Sequence, residues 1–172
     1  DLLREKMTGQ KYDAPTDIWA MPIKNYPIGD GFLTAQIQDE TGKFNLNDLA
    51  STAGGDIEQK KKILRAKRLF ELLRVSPTLV DALIDWVDQD EVPQPAGAES
   101  SYYQSLRPPY RSANSPLPGL GDLRLIKGFT PDIIERISPY VTFFPQEGGV
   151  PMNLNTADPI VLQTLDPSVT QT

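Results

Sequence analysis

Residues 83–100 have the sequence LIDWVDQDEVPQPAGAES and are strongly acidic. This stretch contains five acidic residues, and no basic residue occurs between Val75 and Leu106. The acids are Asp85, Asp88, Asp90, Glu91 and Glu99. Carboxylates at this density repel one another unless a cation or hydrogen-bond donors stabilise them. We therefore expect either a bound cation or hydrogen-bond donors of the surrounding chain to stabilise these acids.

Two helices are predicted on the N-terminal side of this stretch. The nearer one can be capped by Ser76 and has Pro77 in its first turn, where a missing N–H costs nothing. Its apolar stripe consists of Leu79, Val80, Leu83, Ile84 and Val87. A longer helix over residues 57–74 carries apolar side chains at Ile63, Leu64, Phe70 and Leu73. Its other faces are basic, which usually indicates a solvated surface.

A proline-rich loop follows the acids. Residues 91–118 hold 6 of the 16 prolines. A loop this long normally either carries a function or is fixed in place by a specific interaction. Helical spacing places Asp85 and Asp88 on neighbouring faces, and Asp90 follows where the helix ends. Hard oxygen donors of this kind suit Ca²⁺, which also binds backbone carbonyls of irregular loops. With Glu99 reaching back across Gly97, one ion would join both ends of the loop; the alternative is a solvated acidic helix end.

The C-terminal part of the chain is also mainly helical. Leu120, Leu123 and Ile126 lead to Gly128, and residues 130–132 can cap a second helix, a spacing typical of a helix-hairpin-helix unit. Residues 140–144 are predicted to be extended, and residues 156–165 form a last helix. That helix needs a companion, or it must pack backward onto the preceding chain. The segments Phe44–Ala50 and Met152–Ala157 resemble each other, and each has an Asn before a predicted helix start.

The N-terminal part has a different character. Residues 15–30 are rich in Pro and Gly and predict an ordered coil, with Trp19, Met21 and Tyr26 available for core packing or for docking. Residues 33–37 alternate apolar and polar side chains, and the alternation resumes at Phe44. Asp39 to Gly42 have the composition of a type I turn. A β-hairpin is therefore predicted across residues 33–46, and the fold class is α+β.

Composition narrows the classes of function. The 172 residues carry a formal net charge of −6, with 39% hydrophobic and 23% charged residues, as in ordinary globular proteins. The absence of Cys excludes disulfides and thiolate metal sites, and the absence of His removes the usual general base. An enzyme is not expected. No window approaches the ~18 apolar residues of a membrane span, although the chain begins at Asp1 without an initiator Met.

Several motifs, taken together and in order, resemble a known family. They are FNLNDL, LIDWVDQDEVPQPAGAESSYY, YRSANSPLPGLGDLRLIKG, PYVTFFP and MNLNTADPIVL. This combination is similar to the K-type minor pseudopilins of the type II secretion system, over roughly residues 12–165. The resemblance implies a pilin-like portion at residues 1–47 and, at residues 48–172, a large inserted helical domain with helix-hairpin-helix (SAM-like) units and a calcium-binding loop.

The resemblance also implies ligands, partners and a location. Asp88, Asp90 and Glu99 match the acidic motif and are the first-choice ligands for Ca²⁺, followed by Asp85 and, more weakly, Asn114. The partners would be I-type and J-type minor pseudopilins at the tip of a pseudopilus in the bacterial periplasm, and further contacts would be a secreted substrate or the outer-membrane channel. The family's hydrophobic N-terminal helix, which anchors such proteins in the inner membrane, is not found in this sequence, and the helical domain is expected to continue beyond residue 172.

Two other classes of function remain as alternatives. The helical hairpin around Leu125–Thr130 resembles DNA-binding helix-hairpin-helix modules, but the charges flanking it sum to zero, which disfavours phosphate contact. A glycosidase-like pair of carboxylates would use the same acids that are expected to bind calcium. Because a carboxylate that ligates a metal is already occupied, these two roles compete.

Overall fold

The computed structural model describes residues 14–50, 55–146, 148–166 and 168–169, and it has a mixed helix and strand fold. The α-helices are α1 (Gly55–Leu72), α2 (Leu79–Val87), α3 (Ser100–Gln104), α4 (Pro131–Ile137) and α5 (Pro159–Leu162). The strands are β1 (Ile23–Ile28), β2 (Gly31–Ala35), β3 (Phe44–Asn45) and β4 (Val141–Thr142). Short 3-10 helices span Ile18–Ala20, Glu40–Gly42, Leu46–Leu49 and Leu120–Leu125. The predicted α+β class is confirmed.

The core forms around α2, which is buried on all sides. Every residue from Val80 to Val87 is buried, because α1, the Leu46–Leu49 helix and the chain after Glu99 surround it. α1 contributes Ala66, Leu69, Phe70 and Leu73. The prediction that Leu64 is a core residue was wrong, since its side chain is 66% exposed. The helical period alone did not fix which edge of the apolar stripe faces inward.

The start of α2 differs from the prediction. Ser76 does not cap the helix; its Oγ lies 2.8 Å from Thr78 Oγ1 instead. The first turn is formed by backbone, because Leu79 N donates to Ser76 O and Val80 N donates to Pro77 O. These two bonds satisfy N–H groups that a capping side chain would otherwise satisfy.

The N-terminal hairpin lies earlier in the chain than predicted. β1 and β2 pair antiparallel, with Tyr26 opposite Leu33, so the expectation of coil over residues 15–30 was wrong from residue 23 onward. Pro27 is tolerated because each strand of a two-stranded sheet is an edge strand. Of the three residues expected to pack or dock there, Trp19 is buried, whereas Met21 and Tyr26 are exposed.

The predicted hairpin turn at residues 39–42 is instead a 3-10 helix that contacts the C-terminal part of the chain. The Asp39 carboxylate accepts hydrogen bonds from Thr41 N (2.9 Å), Thr156 Oγ1 (2.7 Å) and Asn153 Nδ2 (2.9 Å). Gly42 packs so closely on Thr156 that a Cβ would lie 2.7 Å from Thr156 O. These long-range contacts override the local turn signal.

A parallel strand pair and one buried amide join the first and last parts of the chain. Phe44 pairs with Val141 and Asn45 with Thr142. Asn47 is buried, and its Nδ2 donates to Leu117 O (3.0 Å) and Phe143 O (2.9 Å), while its Oδ1 accepts from Leu117 N (2.7 Å). One side chain therefore satisfies three backbone groups on two distant segments.

In both similar segments the first Asn accepts a backbone hydrogen bond, but only Asn45 lies at a helix start as predicted. Asn45 Oδ1 accepts from Asn47 N (3.0 Å) at the start of the Leu46–Leu49 helix. Asn153 Oδ1 accepts from Asn155 N (3.1 Å) in the turn before α5. α5 is capped by Asp158, and it packs backward, because Val161 is fully buried in the core beside α1.

The predicted turn at Gly128 and the helix after it are present, whereas α3 lies in the segment predicted as a loop and α5 is shorter than the helix predicted over residues 156–165. Leu120–Leu125 and α4 are joined by a turn in which Gly128 has a φ of +85°, and Thr130 Oγ1 accepts from Ile133 N at the start of α4. Within the described residues, no helix is both long enough and apolar enough to cross a membrane.

We expect Asn47→Ala to lower the free energy of unfolding by about 3 kcal/mol, because it leaves three buried backbone groups without partners. Urea unfolding measures the change. The matched control is Asn155→Ala at the corresponding exposed position of the second segment, where about 0.5 kcal/mol or less is expected. Equal effects of the two substitutions would contradict the role given to Asn47.

We expect Asp39→Asn to destabilise the fold more at neutral than at acid pH. Burial alone would raise the pKa of Asp39, but the hydrogen bonds from Thr41, Thr156 and Asn153 outweigh it and lower the pKa. A carboxyl whose folded pKa is depressed stabilises the fold above its unfolded pKa of about 3.9, and that contribution is lost as the pH falls.

The difference in unfolding free energy between wild type and Asp39→Asn should therefore shrink from pH 7 to pH 3. A difference for Asp39→Asn that does not change with pH would contradict the assignment.

Candidate metal centre

Three acidic residues come together where α2 ends. Asp85 lies in the last turn of α2, Asp88 directly follows the helix, and Glu99 directly precedes α3. One carboxylate oxygen from each residue lies within 4.8 Å of the other two. Asp85 and Glu99 are buried, and Asp88 is half-buried. The structure thus brings together three of the five residues that the sequence predicts as ligands.

The loop returns to α2 because α2 carries acceptors for its backbone. Gln94 N donates to both oxygens of Asp85 (3.0 and 3.1 Å), and the backbone of Ala98 also bonds this carboxylate. A Cβ at Gly97 would overlap the Asp85 side chain, so only glycine fits there. Lys127 Nζ holds the other side of the loop through Gly97 O at 2.9 Å.

Asp81 has a supporting role that the sequence analysis missed. Its carboxylate accepts from Ala96 N (3.3 Å) and forms an ion pair with Lys67 Nζ (2.8 Å) on α1. The signal was present in the sequence, because Asp81 precedes Asp85 by one helical turn and therefore lies on the same face. Lys67 is thus a structural residue on the otherwise mainly solvated basic face of α1.

Four buried oxygen atoms around the cluster have no hydrogen-bond donor within the part of the chain that the structure describes. They are Asp88 Oδ1, Glu99 Oε1, Glu99 Oε2 and Asn114 Oδ1. All four are acceptors, and buried polar groups are normally paired because leaving them unpaired costs free energy. A bound divalent cation can satisfy several clustered oxygen acceptors at once.

The electrostatics of the cluster favour the same conclusion. Burial, followed by repulsion from Asp90 and Asp85, raises the pKa of Asp88 to about 6. Burial and the charges of Asp85 and Asp88 raise the pKa of Glu99 to about 7. Burial also raises the pKa of Asp85. The folded chain therefore holds these carboxylates at a free-energy cost, which a divalent cation would offset.

The other two predicted ligands occupy different positions. Asp90 is exposed and outside the three-residue cluster, and its Oδ1 accepts from Val92 N (2.7 Å). Asn114 has a φ of +45°, and its backbone N donates to Trp86 O (2.9 Å). Its Nδ2 donates to Glu91 Oε1 (3.2 Å), which leaves its Oδ1 as one of the unpaired acceptors.

Glu91 is a second residue whose role the sequence did not indicate. Its carboxylate accepts from Ser100 N (3.3 Å) and Ser100 Oγ (3.0 Å). It therefore joins the start of the loop to the start of α3. An acidic residue in a proline-rich segment gives no local signal for such a contact.

Comparison with known proteins identifies relatives of this chain. The family model described as type II secretion system (T2SS), protein K, matches residues 42–146, which include the whole acidic cluster. Protein K of Aeromonas hydrophila is 34% identical over 82% of this chain and 46% of its own length. Protein K of Klebsiella pneumoniae is 35% identical over 82% of this chain and 44% of its own length. The chain spans a little under half the length of these curated relatives.

A solved structure has the same fold. A chain of the crystal structure of the GspK–GspI–GspJ complex from the enterotoxigenic Escherichia coli type 2 secretion system matches with a TM-score of 0.82 and 23% identity. The match covers 98% of this chain and 62% of that one. The family model and the curated relatives name a secretion component, and they do not support the nucleic-acid alternative. This chain belongs to the type II secretion system protein K family.

Proposed function

We propose that this chain is the helical and strand-hairpin part of a K-type minor pseudopilin, which assembles with I-type and J-type minor pseudopilins at the tip of a pseudopilus to support protein export. One observation carries the proposal: nearly the whole chain has the fold of a chain in the GspK–GspI–GspJ complex. Family membership over residues 42–146 supports it.

The finer organisation follows from the same proposal. Residues 1–47 belong to a pilin-like portion, for which the β1–β2 hairpin is the supporting element. Residues 48–172 belong to an inserted helical domain, and the Leu120–Leu125 helix, the Gly128 turn and α4 are consistent with a helix-hairpin-helix unit within it. The protein acts in the periplasm and is anchored to the inner membrane.

The acidic cluster binds Ca²⁺ in this proposal. Asp88, Glu99 and Asn114 supply the four unpaired oxygens, and Asp85 lies within the same group of carboxylates. Asp90 remains a predicted ligand that would have to turn toward the ion. Oxygen ligands alone, in a chain with no His and no Cys, favour a hard cation, and loop carbonyls near the cluster suit the high coordination number of calcium. The bound ion supplies positive charge that cancels the repulsion between the carboxylates.

The role of the chain is therefore mechanical. Two acids, Asp81 and Asp85, already hold the loop through its backbone. The ion adds the connection from Asp88 to Glu99, and so fixes α2 relative to α3. A rigid subunit keeps its docking surfaces in a constant arrangement, which an assembly at the end of a filament requires.

The assembly proposal predicts co-elution with the partners. Mixed with purified I-type and J-type minor pseudopilins of the same system, the protein should elute from a size-exclusion column as one three-chain complex. The matched control is a mixture with the major pseudopilin alone, which should not form that complex. Elution as separate chains at micromolar concentration would contradict the proposal.

The calcium proposal predicts a metal-dependent melting temperature. Calcium at about 100 times its Kd should raise the melting temperature by about 5–10 °C over the value in EDTA. Asp88→Ala and Glu99→Ala should remove the response, whereas Glu135→Gln, which changes an exposed acid on α4, should keep it. Identical melting curves in calcium and EDTA would refute the proposal.

In EDTA, substitution of an acid that bonds the loop and of a proposed calcium ligand should have different effects on the melting temperature. We expect Asp85→Asn to lower the melting temperature, because an amide offers one acceptor to loop N–H groups that now bond two oxygens. We expect Asp88→Asn to leave it unchanged or raise it, because this change removes repulsion and breaks no long-range bond. Differential scanning calorimetry of both variants measures the contrast, and equal destabilisation would show that the roles are not distinct.

A further inference from the structure

A second site lies between the parallel strand pair and α1, away from the acidic cluster. It is a cavity of about 50 Å³, bounded by β3, by Thr142 of β4, by Arg65 in the second half of α1 and by the segment around Met152. By the volume that an ordered water occupies, this space holds about three or four waters, or one small polar group. None of the acids of the proposed calcium centre lines it.

The cavity contains a cation that forms no direct ion pair within the described residues. Arg65 is half-buried, its Nε is buried with no acceptor, and no carboxylate in the described part of the chain lies within 4.0 Å of its guanidinium. Its nearest partners are weak ones: the Phe44 ring, 5.6 Å from Cζ, and Met152 Sδ, 3.8 Å from Nη2. Burial lowers the pKa of Arg65, and the charge of Asp48 offsets this effect in part.

The acidic residues that line the cavity already have partners. Glu40 forms an ion pair with Lys43 at 2.6 Å, and Asp48 Oδ1 accepts from Gly149 N at 2.7 Å. In these positions, neither carboxylate lies within 4.0 Å of the Arg65 guanidinium. A half-buried cation with an unused donor, beside a space of molecular size, has the features of an anion site.

We propose that Arg65 binds a carboxylate group in this cavity. The planar guanidinium fork matches a carboxylate in two parallel hydrogen bonds, and the amide of Asn45 and the hydroxyl of Thr142 line the same space as further polar groups. The carboxylate comes either from a small free acid or from an Asp or Glu side chain of another protein. The acetate response does not depend on calcium or on the proposed assembly, whereas a partner side chain as the ligand rests on that assembly.

Acetate is the probe for the site. At constant ionic strength, replacing sodium chloride by sodium acetate should raise the melting temperature of the wild-type chain by about 3 °C once acetate exceeds its Kd about tenfold. Arg65→Met keeps the packing against Phe44 and should lose the shift. Arg68→Met is the matched control. Its Nε is also buried without an acceptor, but Arg68 does not line the cavity and has its own acid, Glu71, at 3.9 Å; this variant should keep the shift.

A direct measurement covers the case in which Arg65→Met does not fold. In wild-type protein, the Nε–Hε resonance of Arg65 should move on acetate titration and saturate, while that of Arg68 stays in place. An unmoved Arg65 resonance together with no thermal shift in wild type, or a thermal shift that persists in Arg65→Met, overturns the proposal.

Partner binding distinguishes the two sources of the carboxylate. If a partner side chain fills the site, Arg65→Met should weaken binding to the I-type and J-type pair about tenfold, and acetate should compete in the wild type. If the ligand is a free acid, partner affinity should stay the same while the acetate response remains. Failure of the assembly itself would appear as no partner binding in wild type and would leave the acetate result to decide alone.

Discussion

The structure depends on the backbone hydrogen bonds that the Asp85 carboxylate accepts. This side chain is fully buried in α2, and it binds loop N–H groups at Gln94 and Ala98. A charged acceptor forms stronger hydrogen bonds than a neutral one, so residues 91–97, which contribute no buried side chain to the core, can be ordered through their backbone. Once the loop is held, Glu99 must lie next to α2, and its charge meets those of Asp85 and Asp88.

The polar residues at the end of α2 and around the loop therefore have two different roles. Asp81 and Asp85 bond the loop backbone and would be needed with or without a metal ion. Asp88, Glu99 and Asn114 present oxygens without donors. Asp81 and Asp85 determine the conformation of the loop. Asp88, Glu99 and Asn114 are the proposed calcium ligands in that conformation. Calcium binding and folding are therefore linked in the proposed function, because the ion stabilises only the conformation that brings both groups together.

The sequence predicted much of the candidate site because its signals are local. Helical spacing places Asp85 and Asp88 together, and the gap of 11 residues to Glu99 is short enough for a returning loop. The sequence did not indicate the partners of Asp81 and Glu91, because their contacts with Lys67 and Ser100 form only in the tertiary structure. Arg65 looked like one more solvated base on α1, and only the position of Phe44 beneath it shows that it is partly buried.

The order of the main helices, the turn at Gly128, the capping role of Asn45 and the crowding of acids at the end of α2 all follow from the sequence alone. These features depend on residues within a few positions of one another, where spacing and side-chain type are sufficient. Only the tertiary structure shows why Asp39–Gly42 is not a hairpin turn, because the contacts with Thr156 and the pairing of Phe44 with Val141 join residues about 100 positions apart. Local patterns carry no information about such partners, and their combined hydrogen bonds outweigh a turn propensity.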